Sequence, residues 1–216
     1  MSGKAKYTRK YAYLGNWEKR EGNSNVEEEY LSAYLARRGY TDKEIRSAIA
    51  KLKQAAGSLG GGLYNANKEV YTLLRYGVNV QAEVTEKKKM VHLIDWANPM
   101  ENDFQIAEEV TIHGTSDRRP DLVVYVNGIA IAVIELKRST VSAHEGIRQN
   151  IRNQQDGYIP RFFTTIQLLF AGNDTEGLHY GVIKTPEKFW LRWKEPCGEP
   201  CAKPHFTVEE YPNELD

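Results

Sequence analysis

The feature that most constrains the fold is a long apolar stretch over residues 122–134, which is interrupted once, by Asn127-Gly128. An Asn-Gly pair suits the centre of a tight hairpin, because both residues tolerate positive φ. The sequence therefore predicts two antiparallel strands, the second of which returns Glu135 and Lys137 to the neighbourhood of Asp121. Since side chains alternate along a strand, Glu135 and Lys137 lie on the same face.

Two carboxylates and an ammonium group at one end of an apolar sheet form a candidate metal site. Mg²⁺ prefers oxygen ligands and keeps several waters, so Asp121 and Glu135 would suit it together with phosphate oxygens, and Mn²⁺ can substitute. An ion there would lower the pKa of a bound water, and Lys137 would orient that water or stabilise developing charge. The structural alternative is that Asp121 opens a strand and that Glu135 pairs with Lys137 where the other strand ends.

These residues also carry a family resemblance. Pro120-Asp121 followed by Glu135-Leu136-Lys137 resembles the PD-(D/E)xK nuclease signature. The stretches 118–150 and 157–173 resemble the N-terminal endonuclease domain of the restriction subunit of type I restriction-modification enzymes. The resemblance implies an α/β fold in which a mixed central β-sheet is flanked by helices around a restriction-endonuclease-like core. It also implies Mg²⁺-dependent hydrolysis of DNA without sequence reading at the site of cleavage.

The resemblance assigns roles to the residues of the hairpin. Asp121 and Glu135 would bind the metal, the Leu136 carbonyl would be a third protein ligand, and Lys137 would position the attacking water. Related nucleases often add a glutamate from an early helix. Glu28 is the candidate, because its helical spacing to Leu31 and Leu35 places it on their predicted inward face. Three successive glutamates are also an ordinary helix N-terminus.

A branch of the superfamily carries a Gln-x-x-x-Tyr motif on the helix that follows the lysine. Gln154 and Tyr158 fit this motif literally. Gln149 fits the expected distance from the lysine better, but Asn153 stands where the motif has tyrosine. Both glutamines are therefore candidates for positioning a phosphate or the lysine, and either could equally be a surface amide.

The net charge of the chain does not indicate DNA binding, but one segment has an excess of basic residues that would suit it. The chain has 29 Lys and Arg against 29 Asp and Glu, so its formal net charge is zero. Residues 118–161 hold seven basic against four acidic side chains, which would suit phosphate contacts, although a solvated basic surface explains them equally well. The candidate DNA-binding residues are Arg118, Arg119, Arg138, Arg148 and Arg152.

Cysteine content and hydropathy favour a cytoplasmic protein without a membrane partner. The two cysteines imply no disulfide framework, and the sequence shows neither a signal peptide nor an apolar run long enough to span a bilayer. Cys197 and Cys201, with His205 beyond, are better explained as a proline-rich loop than as a zinc site.

The predicted organisation is an N-terminal arm over residues 1–25, with a short strand near 11–14, and a nuclease domain over 26–216. Periodicity and breakers predict helices over 26–38, 42–56, 63–75 and 142–154. They predict further strands over 78–85, 90–96, 104–113, 165–171, 179–184 and 189–193.

The sequence contains no Walker motif, so we expect it to be the nuclease fragment of a larger subunit, with ATP acting only at motor domains that this chain lacks. The resemblance implies DNA as substrate and, through the full-length subunit, the methyltransferase and specificity subunits as partners. Two alternatives are a free-standing nuclease of the repair or resolvase kind, and a non-catalytic docking domain on a nuclease fold.

Overall fold

A seven-stranded mixed sheet lies at the centre of the fold, in a computed structural model that describes residues 11–81 and 87–194. The strands are β1 (Ala12–Asn16), β2 (Val78–Val80), β3 (Lys89–Val91), β4 (Phe104–Glu108), β5 (Leu122–Val126), β6 (Ile129–Leu136), β7 (Leu168–Asn173), β8 (Gly177–Gly181) and β9 (Leu191–Arg192). Their order in the central sheet is β1-β4-β5-β6-β7-β8-β9, while β2 and β3 form a separate pair. The β1–β4 and β6–β7 pairs are parallel and the other neighbours are antiparallel.

Helices flank the sheet, as predicted for a mixed α/β fold. They are α1 (Glu28–Arg37), α2 (Asp42–Gly57), α3 (Leu63–Tyr76) and α4 (Ala143–Asn153). Each predicted helix is confirmed to within two residues at either end. Within the described ranges, no helix combines the length and the apolarity that crossing a bilayer requires.

Several predicted strands are shorter than expected. The strand predicted over 104–113 ends at Glu108, because Glu109 adopts a positive φ of 51° that leaves the extended region. The strand predicted from 165 begins at Leu168, because a 3-10 turn over Phe162–Thr164 precedes it and Thr165 keeps a helical backbone conformation. The loop predicted around Cys197 and Cys201 lies outside the described residues, as do residues 82–85 of the strand predicted over 78–85.

The segment predicted as an arm contributes a strand to the central sheet. Residues 1–10 lie outside the described part of the chain, but β1 pairs in parallel with β4. Trp17 is buried and its ring lies 5.5 Å from that of Tyr125 on β5. Arg20 forms an ion pair of 2.6 Å with the buried Glu27. Residues 12–27 therefore belong to the packed domain.

The predicted hairpin is present, and the side chain of Asn127 anchors its turn to the loop that precedes β4. Asn127 and Gly128 have φ values of 54° and 81°, as a two-residue turn of this kind requires. The buried Asn127 side chain donates to the Leu93 carbonyl at 2.9 Å and to Asn102 Oδ1 at 2.8 Å. Its own Oδ1 accepts from the Asp103 amide at 2.7 Å. These bonds fix the turn against the loop that precedes β4.

Gly128 is required for two separate reasons, its positive φ and its contact with α1. A Cβ at this position would lie 2.8 Å from the Glu27 carbonyl oxygen and 2.8 Å from the Leu31 amide. Gly22 also has a positive φ, of 76°, but a Cβ there would meet nothing within 4 Å. Comparing substitutions at Gly128 and Gly22 therefore distinguishes the free-energy cost of backbone strain from that of a steric clash.

We predict that Gly128→Ala destabilises the domain by about 1–3 kcal/mol more than Gly22→Ala does, because only the first adds overpacking to the left-handed strain. Urea denaturation followed by circular dichroism measures both free energies of unfolding. Equal losses in the two variants would show that α1 does not pack against the hairpin turn as described.

Candidate active site

The hairpin brings the two candidate carboxylates together through a bulge in its pairing. Val126 pairs with Ile129 next to the turn, and an uninterrupted register would place Asp121 opposite Ile134. The register shifts by one residue between Val124 and Tyr125, so that Leu122 pairs with Ile134. The next position then places Asp121 opposite Glu135. The extra residue in β6 thus aligns the two acids.

Asp121, Glu135 and Lys137 converge at the open end of this hairpin. The Lys137 Nζ lies 3.9 Å from Asp121 Oδ2 and 3.7 Å from Glu135 Oε2. The Leu136 amide donates to Asp121 Oδ2 at 2.6 Å, which holds the aspartate side chain against the end of β6. All three side chains, together with the Leu136 peptide, are therefore within reach of one small ligand.

Glu135 is fully buried beneath α4. The helix approaches closely because Gly146 has no side chain: a Cβ there would lie 3.1 Å from the Ala171 Cβ and 3.4 Å from the Glu135 Cβ. The same approach lets Gln149 Nε2 donate to Glu135 Oε2 at 2.7 Å. The other oxygen, Oε1, has no hydrogen-bond partner among the described residues. A buried carboxylate oxygen without a partner is costly and suits a cation.

The surroundings of Glu135 favour its neutral form when no cation is present. Burial, followed by the negative charge of Asp121, raises the pKa of the Glu135 carboxyl group to about 8, and the Lys137 ammonium opposes this rise. A cation held between the two carboxylates would reverse the balance, because it favours the ionised form of both. Metal binding at this site would therefore release a proton.

The two carboxylates of Asp121 and Glu135 suit a metal ion that needs few protein ligands. Across residues 11–81 and 87–194 there is no group of three or more His, Cys, Asp or Glu side chains arranged to hold a metal. Mg²⁺ is commonly bound by one or two carboxylates, with waters and substrate phosphates completing its shell. Asp121 and Glu135, with the unpartnered Glu135 Oε1, fit that pattern, whereas a closed structural zinc site would need four ligands.

The two candidate glutamines occupy different places. Gln149 contacts Glu135 directly. Gln154 is buried elsewhere: its side chain donates to the Asn150 carbonyl at 3.0 Å and accepts from the Lys184 amide at 2.8 Å. Tyr158 lies beyond the end of α4, where the Arg118 guanidinium group stacks 4.2 Å from its ring centre. Of the two motif positions, the structure places only Gln149 in the site.

The prediction that Glu28 faces the interior is wrong. Glu28 is exposed and forms an ion pair with Lys53 of α2. Its helix, α1, packs against Gly128 at the turn end of the hairpin. Ile129 and Glu135 stand six residues apart on β6, so the turn and the carboxylates are about 20 Å apart. Glu28 therefore lies too far away to share an ion with Asp121.

Three of the five candidate arginines already have partners within the domain. Arg119 pairs with Glu18 and with Glu109, the latter at 2.7 Å. Arg148 pairs with Glu145 at 2.7 Å and with Glu187 at 3.0 Å. Arg118 donates to the Asp117 carbonyl at 2.7 Å in addition to stacking on Tyr158. A phosphate would have to compete with these contacts.

Arg138 and Arg152 are the two candidates whose exposed side chains form no ion pair or hydrogen bond with the described residues. Arg138 directly follows Lys137. Arg152 lies three residues after Gln149 on α4, and this spacing places the two on the same side of the helix. Both arginines therefore carry a positive charge that no carboxylate of the described residues neutralises.

Gly146 is the site residue that sequence reasoning did not identify. A glycine inside a helix costs about 1 kcal/mol relative to alanine, so its presence in the amphipathic pattern of α4 was a signal for close packing. The partner across that contact, Glu135, could not be identified from the glycine alone, because the contact joins distant parts of the chain.

An α/β domain with a mixed sheet, two hairpin carboxylates and an adjacent lysine has the architecture of restriction-endonuclease-like proteins. The chain belongs to the family described as the type I restriction enzyme R protein N terminus, whose family model matches residues 5–188.

Named relatives are endonuclease subunits of such enzymes. The putative type I restriction enzyme MjaIXP endonuclease subunit of Methanocaldococcus jannaschii is 31% identical over 134 residues, which cover 58% of this chain and 12% of that subunit. The SsaAORF53P endonuclease subunit of Staphylococcus saprophyticus is 26% identical over 133 residues, covering 62% of this chain and 13% of that subunit. The putative MjaVIIIP endonuclease subunit of M. jannaschii is 28% identical over 163 residues, covering 73% and 15%. The chain thus matches only about an eighth of the length of these subunits.

We predict that the metal-free domain loses stability as pH rises, and that Glu135→Gln removes this loss. The folded-state pKa of Glu135, about 8, exceeds the ordinary value of 4.5, so its contribution is fully present below pH 4.5 and is lost as pH rises toward 8. The slope is roughly 1.4 kcal/mol per pH unit over that window.

The measurement is urea denaturation in a chelating buffer at a series of pH values for both proteins. Taking the difference between the two curves cancels the other titrating groups, which the variants share. Parallel curves would mean that the Glu135 carboxyl group ionises as readily in the folded as in the unfolded chain.

Proposed function

We propose that this domain is a Mg²⁺-dependent endonuclease module, which hydrolyses DNA phosphodiester bonds as the cleavage module of a type I restriction enzyme. The observation that carries the proposal is the convergence of Asp121, Glu135 and Lys137 around a buried carboxylate oxygen that has no partner among the described residues. The named relatives favour this role over a free-standing repair nuclease.

Asp121 and Glu135 hold the metal ion in this proposal, with the Leu136 carbonyl as the third protein ligand. The ion, Mg²⁺ or Mn²⁺, supplies Lewis acidity and lowers the pKa of water when it is bound. Lys137 would orient the attacking water, and its distance of less than 4 Å from both carboxylates supports this role. Gln149 orients Glu135 through its hydrogen bond of 2.7 Å.

DNA binding in this proposal uses charge rather than base contacts. Arg138 and Arg152 are exposed and not neutralised by the described residues, so they would meet phosphate groups, which fix a duplex without reading its sequence. Recognition then belongs to the methyltransferase and specificity subunits, which the domain meets through a longer subunit, and ATP acts at motor domains of that subunit. The proposed setting is the cytoplasm.

We predict that Mn²⁺ binds the domain and that Asp121→Ala abolishes binding, because one of two carboxylate ligands is lost. Isothermal titration calorimetry with Mn²⁺ measures both proteins. Glu28→Ala is the matched control: it also removes one carboxylate, but at the turn end of the hairpin, so binding is expected to be unchanged. Equal binding by Asp121→Ala and the unsubstituted domain would refute the site.

We predict that Lys137→Ala leaves Mn²⁺ binding in place and lowers DNA cleavage by at least about a hundredfold, because it removes a group that acts on the reacting water rather than a metal ligand. Cleavage is measured in an assembled restriction enzyme that contains the domain, with ATP hydrolysis followed in parallel. ATP hydrolysis is expected to persist. Full cleavage by this variant would exclude Lys137 from the reaction.

A further inference from the structure

A second candidate site lies at the opposite end of the hairpin from the carboxylates. It is a cleft of about 330 Å³ between the end of α1, the end of α3 and the loop that follows β3. Its lining includes Tyr34, Arg38, Tyr40, Arg75, Asp95 and Trp96. The volume lies near the lower end of the roughly 300–1,000 Å³ that small-molecule sites occupy. It is large enough for one nucleotide-sized ligand but not for a peptide helix or a duplex.

The wall of the cleft is held rigidly by buried polar groups. Asp95 lies at its base, where its carboxylate accepts from Arg38 at 2.7 Å and from the Asn98 amide at 2.8 Å. Asn102 joins this base to the hairpin: it accepts from the Asp95 amide at 2.8 Å and from Asn127 at 2.8 Å. The cleft is therefore preformed and does not need a ligand to order it.

Two aromatic rings in the cleft are fixed by hydrogen bonds at their polar edges. The Trp96 indole nitrogen donates to the Leu74 carbonyl at 2.8 Å, yet 48% of the residue remains exposed. The Tyr40 hydroxyl accepts from the His92 amide at 3.0 Å. Because their polar atoms are already bonded to the protein, these rings offer a ligand mainly their aromatic surfaces, which suits a planar ring.

One cation at the cleft lacks a carboxylate. The Arg75 guanidinium carbon lies 5.3 Å from the centre of the Trp96 ring and forms no ion pair or hydrogen bond with residues 11–81 and 87–194. By contrast, Lys89, which lies 5.2 Å from the Tyr40 ring, is neutralised by Glu44 at 2.9 Å. Arg75 is thus a positive charge, held over one face of an exposed aromatic ring, that a phosphate would complement.

We propose that this cleft binds a nucleotide unit, with the base stacked on Trp96 and the phosphate paired with Arg75. The unit is either a free mononucleotide or one residue of a single strand, since both present the same base and phosphate. An aromatic platform beside an unpaired arginine is the combination that single-strand binding sites use. The site is separate from the carboxylates and does not require the metal.

The test measures binding of a fluorescein-labelled single-stranded oligo-dT of about 10 nucleotides, within the site sizes known for single-strand binding folds. Anisotropy is recorded in a chelating buffer with the Asp121→Ala chain, so that neither cleavage nor metal-dependent binding contributes. Unlabelled dTMP, ATP and a blunt duplex serve as competitors. Failure of the cleft to bind would therefore leave the proposed nuclease function untouched.

Trp96→Ala is expected to weaken binding by roughly 5- to 150-fold, the range that corresponds to loss of one stacked base. Arg75→Ala is expected to weaken it by roughly 10- to 150-fold, the range that corresponds to loss of a hydrogen bond to a charged group. Trp96→Phe is expected to retain most of the affinity, because it keeps an aromatic surface. Trp193→Ala is the matched control, since Trp193 is equally exposed, at 48%, but lies outside the cleft. Arg75 is exposed, so its substitution does not endanger the fold.

Full competition by dTMP or ATP would identify a free nucleotide as the ligand, and competition by single strands alone would identify a strand. The proposal would be overturned by no binding by the starting protein, by unchanged binding by Trp96→Ala and Arg75→Ala, or by an equal loss with Trp193→Ala. Duplex that binds as tightly as single strand, with the same dependence on Trp96, would overturn it as well.

Discussion

The burial of one carboxyl group is the constraint on which the candidate active site depends. Glu135 is fully buried because α4 packs onto β6 at Gly146. A lone charge in such a place costs several kcal/mol, so the group needs either a proton or a cation. Gln149 satisfies one oxygen, and Lys137, at 3.7 Å, offsets part of the charge. Without a cation the remaining oxygen is satisfied only if the group keeps a proton, whereas a cation shared with Asp121 would satisfy both carboxylates in their charged forms. This is why we favour a metal centre over a frayed strand end.

The geometry of the hairpin determines which residues of β5 and β6 lie opposite each other at the candidate active site. Its turn is fixed through Asn127, which makes three hydrogen bonds to neighbouring loops, so the opposite end is presented in one register. A shift of one residue in a strand reverses which face each side chain occupies. The bulge at Ile131 makes such a shift inside β6, and it does so between the turn and Glu135. The turn and the bulge together therefore place Asp121 opposite Glu135. The hydrogen bonds of Asn127 and Asn102 also hold Asp95 at the base of the aromatic cleft near the turn.

Local patterns were sufficient for much of this arrangement. The Asn-Gly turn, the alternation that pairs Glu135 with Lys137, and the four helices all follow from neighbouring residues, and the structure contains them. The bulge was not visible in the sequence, because the run Ile-Ala-Ile-Ala fits either register. Pairing of β1 with β4 was equally hidden, since a parallel neighbour about 90 residues away leaves no local signal. Gln149 was distinguished from Gln154 only when the packing of α4 was known.

The error over Glu28 has a specific physical origin. Helical spacing states which residues share a face, but it does not state where along a strand that face docks. Leu31 and Leu35 are buried as expected, yet α1 covers the turn end of the hairpin, and Glu28 at its first turn meets Lys53 instead. A carboxylate can bind a metal only from within a few ångströms. Glu28 lies at the turn end of the hairpin, so it cannot be a ligand at the end that holds Asp121 and Glu135.

The charge distribution suggests why such a module would work as part of a larger assembly. Non-specific DNA affinity comes mainly from the number of phosphates that a protein neutralises, and it falls steeply with salt. Here the net charge is zero, and Arg119 and Arg148 already have carboxylate partners within the domain. Few cations therefore remain near Lys137 to hold a duplex. In our proposal such a site contributes the chemistry of cleavage, while partners that bind DNA more strongly bring the duplex to it.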